Sequence, residues 1–131
     1  MSERSWTAYA LGGDLPAPAG GYSPVVRAGD LLFVAGQVPK DLRTGAVVGD
    51  DVAAQTRQVL ANLRTALEAA GAGLDDVVSA TVYITDEQQW GVFDATWREF
   101  FRPPFPTRAV VGARLRGILV EISAIAHKPL R

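Results

Sequence analysis

A chain of 131 residues, 48% hydrophobic and 21% charged, falls within the size of one domain and can bury a core without staples. Cysteine is absent, which excludes disulfides, thiolate nucleophiles and Cys-ligated metal centres. The 13 basic and 14 acidic residues nearly cancel, which argues against the basic stripe of a nucleic-acid binder; Arg108, Arg114 and Arg116 are spread among apolar residues.

The chain starts Met1-Ser2-Glu3-Arg4-Ser5, a polar stretch leading into no long apolar run. It reads neither as a secretory signal nor as the ~20 apolar residues a bilayer span requires, so a cytosolic location is expected. Residues 7–10 have room for one short strand. Residues 12–21 (GGDLPAPAGG) form an irregular segment. Residues 24–27 and 31–38 read as antiparallel strands joined by a turn at Ala28-Gly29-Asp30, the second apolar on both faces and so central. Residues 40–45 make a polar loop.

Asp50 or Asp51 can cap a helix running to about Ala70, with one apolar stripe through Val52, Val59, Leu63, Ala66, Leu67 and Ala70. Gly71 stops it. Residues 77–84 alternate with a period of two: Val78, Ala80, Val82 and Ile84 share one face, and Ser79, Thr81 and Tyr83 the other. Asp86 and Gln89 form a capping-box-like start for a second helix. Its stripe runs through Trp90, Phe93, Trp97, Phe100 and Phe101 up to Pro103-Pro104. Strands over residues 109–115 and 118–127 complete a β-β-α-β-α-β-β order. The expected fold is α+β, two helices on one face of a mixed sheet. In the last strand Val120, Ile122, Ala124 and Ala126 are expected under the helices; Leu119, Glu121, Ser123 and Ile125 face the other way, toward water or a neighbouring subunit.

Candidate chemistry is sparse. His127 is the single histidine, with no acidic neighbour to complete a metal set, and it reads as a surface residue at a strand end. No G-x-S-x-G, G-x-G-x-x-G or P-loop occurs, so neither a serine triad nor a nucleotide cofactor has support. Arg108 leads into a strand after Phe105-Pro106-Thr107. It is either a fixed guanidinium able to grip a carboxylate with two hydrogen bonds or an exposed arginine at a strand edge. Glu121 lies on a solvated face or in a cleft, where partial desolvation suits it to proton transfer. Tyr22, in Gly20-Gly21-Tyr22-Ser23-Pro24, either closes over a ligand or anchors the segment.

An ordered set of short pieces runs from Gly21-Tyr22-Ser23 through LFVAGQVP (32–39), Thr44-Gly45, QTRQVLAN (55–62) and LEAAG (67–71). It continues through Asp76-Val77-Val78, TVYITD (81–86), Phe105-Pro106-Thr107-Arg108 and Val120-Glu121-Ile122, closing at Ala124-Ile125-Ala126. This set resembles the RidA/YjgF family, also described as endoribonuclease L-PSP-like. The resemblance implies one domain over residues 1–131 with a chorismate-mutase-like fold. It also implies a homotrimer whose sheets enclose a central β-barrel, with three active-site clefts between subunits. It further implies hydrolysis of reactive 2-enamine and 2-imine acids to 2-oxo acids and ammonia, with no cofactor and no metal. Arg108 matches the family arginine that binds the substrate carboxylate, Glu121 the glutamate that orients water, and Tyr22 the tyrosine that reaches the ligand.

Three positions depart from the family pattern. Ala35, before Gly36 and Gln37, stands where many members have serine, and Val110 stands where many have cysteine. Asp94 replaces an asparagine. Ala35, Gly36 and Val110 are thus substrate-side candidates in a pocket less polar than usual, and Asp94 adds charge near it. Two other readings remain: a specialised hydrolase or deaminase of a catabolic or biosynthetic pathway, and a non-catalytic binding, chaperone-like or RNA-acting trimer.

Overall fold

The structure, a computed structural model, describes residues 3–130. Its elements are β1 (Thr7–Tyr9), β2 (Val25–Ala28), β3 (Leu31–Gln37), α1 (Val52–Ala69), β4 (Val77–Ile84), α2 (Trp90–Trp97), β5 (Thr107–Gly112) and β6 (Val120–His127). The six strands form one sheet in the order β1-β2-β3-β6-β4-β5. β6 lies between β3 and β4 and runs antiparallel to both, while β4 and β5 pair in parallel across the α2 connection.

Local signals explain most boundaries. Gly29, with φ of 60°, takes the first position of the two-residue loop joining Ala28 to Leu31, a position that needs a positive φ in a type II′ hairpin. The Asp51 carboxylate accepts from the Ala54 N–H at 2.8 Å and caps α1. Gly71, at φ 81°, ends it: its N–H reaches Glu68 O and the Ala72 N–H reaches Leu67 O, the paired bonds of a Schellman stop. The whole α1 stripe predicted from spacing is buried.

Both helices cover the sheet face that carries Ala80, Val82 and Ile84 of β4 and Val120, Ile122, Ala124 and Ala126 of β6. Val78 departs from the expected alternation: it is exposed, because the β4–β6 register shifts between Val77 and Ser79. Three boundaries also differ. Regular α2 stops at Trp97; after it the bonds tighten, with Glu99 N–H to Thr96 O and Phe100 N–H to Trp97 O. Phe101 is nonetheless buried and stacks on Trp97 at 4.1 Å between ring centroids, so the stripe outlasts the helix. β5 begins at Thr107 rather than Ala109, because Thr107 and Arg108 pair with Ser79 and Ala80, and it ends at Gly112. β6 begins at Val120, since residues 113–119 are spent on the bend between the last two strands.

None of the described helices is long and apolar enough to cross a membrane. Leu63 is fully buried in the core between α1 and the sheet. Leu63→Ala is expected to cost about 2–5 kcal/mol in urea unfolding, the range for emptying a packed leucine site.

Candidate active site

Arg108 is the second residue of β5, opposite Ala80, and therefore faces the helices. Its guanidinium is packed against aromatic rings: Cζ lies 5.0 Å from the Trp97 ring centroid, 5.4 Å from Phe93 and 5.6 Å from Trp90. Nη1 also donates to Asp94 Oδ1 at 2.9 Å, with the Arg108 side chain 16% exposed and that of Asp94 18%. The other Asp94 oxygen accepts from Arg98 Nε at 3.1 Å, one helical turn on. Each oxygen of Asp94 thus holds one arginine.

Burial alone would raise the Asp94 pKa, but the hydrogen bonds from Arg98 and Arg108 outweigh it and hold the carboxyl below its usual value of 3.8. These residues line a cleft of about 340 Å³ with Trp90, Trp97, Phe105 and Pro106 as further walls. Val110, two residues along β5, is half-buried against the core on the same face as Arg108.

Glu121 lies on the opposite side of the sheet. It pairs with Tyr83, three residues along β4 from the partner of Arg108, and an odd separation on a strand reverses the face. Its side chain rests on the backbone of Gly36, so that a Cβ at that position would run into the Glu121 carboxylate and oblige it to shift. Gly36 also lines a second cleft of about 320 Å³ with Tyr22, which is 58% exposed, and with the 40–45 loop. Asn62 of α1 holds that loop by donating to Val38 O at 2.9 Å and Lys40 O at 2.8 Å. Ala35 lies just before Gly36, and its N–H donates to Pro24 O at 3.0 Å.

The predicted site residues therefore fall into two groups. Arg108 and Val110 meet Asp94 on the helix side, whereas Tyr22, Ala35, Gly36 and Glu121 gather around the other cleft or face. Within one chain they do not converge. Trp90 and Trp97 read from spacing as core residues and turn out also to wall the Arg108 cleft; the i, i+4 row Trp90-Asp94-Arg98 was the available signal. Among the described residues no cluster of three His, Cys, Asp or Glu side chains could hold a metal ion.

One mixed sheet, two helices on one face and an arginine–carboxylate pair in an aromatic cleft define the class of protein. The Endoribonuclease L-PSP family model matches residues 13–128. The chain belongs to this family, which is also that of RidA/YjgF. It is 45% identical to a RutC family protein of Pyrococcus horikoshii over 86% of its length and 91% of that protein's. It is 40% identical to a 2-iminobutanoate/2-iminopropanoate deaminase of Salmonella typhimurium over 85% of this chain and 90% of that one. The crystal structure of a putative endoribonuclease from Thermotoga maritima superposes with a TM-score of 0.86 at 33% identity, covering 95% of this chain and 99% of the other.

Two predictions follow from this geometry. Because the Asp94 pKa is depressed in the folded state, its pairing stabilises the protein fully above pH values near 3.8 and is lost as pH falls through the lower folded value. Asp94→Asn should therefore flatten the acid limb of a stability–pH curve measured by thermal unfolding and leave its slope above pH 5 unchanged. Gly36→Ala should displace the Glu121 side chain, visible as altered electron density at that carboxylate in a crystal structure of the variant.

Proposed function

We propose that the protein hydrolyses reactive 2-imino and 2-enamino acids to 2-oxo acids and ammonia, in sites completed between copies of one RidA-like domain. The observation that carries this reading is the Arg108 guanidinium, fixed by rings and one carboxylate at the floor of an open cleft. A rigid fork of this kind binds a carboxylate with two parallel bonds and orients the carbon beside it.

The chemistry asks little more of the protein. The protonated imine carbon is already electrophilic. Water adds to it while a carboxylate, assigned to Glu121, accepts a proton. The carbinolamine then collapses as that proton passes to nitrogen: the C–N bond breaks to release ammonia, the hydroxyl proton returns to the carboxylate as C=O forms, and the ammonia takes it up as ammonium beside the 2-oxo acid. Tyr22 closes on the ligand from its exposed segment, and Ala35, Gly36 and Val110 shape the pocket.

A second copy is needed because Arg108 and Glu121 face opposite sides of the sheet. β5 is an edge strand, so a neighbouring copy can bring its open face against the rim that holds Arg108. That open face carries Phe33 and Val111, each 41% exposed, with Ser79, Thr81, Ser123 and Ile125. Apolar surface of this kind favours burial by a partner. The assembly we assign is a homotrimer with the sheets around a central barrel, acting in the cytosol.

The test is ammonia release when an amino-acid oxidase generates imine in situ. Wild-type protein should accelerate it. Arg108→Ala should lose about 10²-fold or more of that acceleration, as expected for removing one partner of a desolvated charged contact. Glu121→Gln should lose roughly 10²–10⁴-fold. A folded Arg108→Ala variant of full activity would overturn the assignment. Light scattering should give a trimer for the wild type and smaller species for Phe33→Glu.

A further inference from the structure

We propose that Asp94 determines specificity in the Arg108 cleft, making it a site for monocarboxylates with an aromatic or bulky apolar side chain and excluding dicarboxylates. This rests on the carboxylate-binding role of Arg108 given above and adds the class of substrate.

Three observations carry it. First, the closest approach of Asp94 to Arg108 is at Nη1. Nε and Nη2 make no hydrogen bond among the described residues, and together they form one complete edge of the fork, enough for one ligand carboxylate. Second, the charges at the cleft are two guanidinium groups and one carboxylate. They leave one net positive charge, which a single ligand carboxylate neutralises; a second would turn the cleft net negative and add like charge beside Asp94. Exclusion by an unpaired like charge is a common route to selectivity.

Third, the remaining walls are large and apolar. Trp90 is 48% exposed and Phe105 41%, so both offer ring surface to a ligand, and Pro106 adds a further apolar wall. The cleft of about 340 Å³ lies at the small end of the ~300–1,000 Å³ range of small-molecule sites. Arg98 reaches over the Phe105 ring at 5.2 Å and is tethered by Asp94, which closes the polar side of the cleft. Asp94 is thus a positioning residue for both arginines and an electrostatic filter for what reaches them.

The experiment is calorimetric titration of the whole protein with three stable 2-oxo acids: phenylpyruvate, pyruvate and 2-oxoglutarate. Wild type is expected to bind phenylpyruvate about tenfold or more tightly than either of the others, a ratio within reach of apolar pocket contacts. Asp94→Asn should tighten 2-oxoglutarate about tenfold while changing phenylpyruvate by less than about threefold, a shift of roughly 1.4 kcal/mol in relative affinity. Trp90→Ala, at an exposed position, should lose the phenylpyruvate preference and leave 2-oxoglutarate unchanged. A purely structural role for Asp94 would weaken all three acids together.

Absence of discrimination in the wild type, or an unchanged ratio in Asp94→Asn, overturns the proposal. Should Asp94→Asn not fold, Trp90→Ala decides: a lost preference supports the aromatic cleft and a retained one overturns it. Arg108→Ala separates the two levels. Undiminished binding of all three acids to that variant sinks the carboxylate-clamp reading itself. Loss of all binding there, with an unchanged ratio in Asp94→Asn, sinks only the role of Asp94.

Discussion

Successive side chains on a β-strand leave opposite faces of the sheet, and in this protein that alternation separates two environments. One face is sealed by α1 and α2 and holds the core; the other is open. Every residue of chemical interest is sorted by it. Arg108, paired with Ala80, belongs to the sealed side, and Glu121, paired with Tyr83, to the open side. A one-residue slip of β5 against β4 would carry Arg108 across the sheet and strand Asp94 in its place.

A guanidinium among core side chains needs compensation, since desolvating a charge without partners is costly. The fold supplies it from one element. Helix α2 contributes Trp90, Phe93, Asp94 and Trp97, which place three ring faces and a carboxylate around the same cation. Their positions recur at three- and four-residue spacing on one side of the helix. The amphipathic pattern that docks α2 on the sheet therefore also builds the cleft. Packing and the cleft share the same residues, and Trp97, being buried on one side and a cleft wall on the other, serves both.

The second cleft depends on close backbone approach. Gly36 leaves room for the Glu121 side chain, and the polar side chain of Asn62 ties the neighbouring loop to α1. Gln55 does the same for the segments around Gly49 and Leu119, accepting from Leu119 N–H at 2.8 Å and donating to Gly49 O at 3.0 Å. Both are buried members of the 55–62 segment, where their side-chain amides replace absent backbone partners for irregular loops. That segment is recognisable in the sequence because loops without ladders of their own depend on it.

The sequence by itself determined what depends on local spacing. The span of α1, a cap at Asp50 or Asp51, its Gly71 stop, the alternation along most of β4 and β6, and the ordered motifs of the L-PSP family were all legible in it. Capping and periodicity act over a few residues, so a string of letters records them. The structure alone decided the placement of β6 between β3 and β4, the position of β5 at the sheet edge, and the face that Arg108 occupies. These follow from pairings between segments tens of residues apart, whose register no local pattern states. For that reason the residues around Arg108 left it open between a carboxylate grip and a strand-edge arginine, and Trp90 read as a core residue, until β5 and α2 were brought together around one half-buried ion pair.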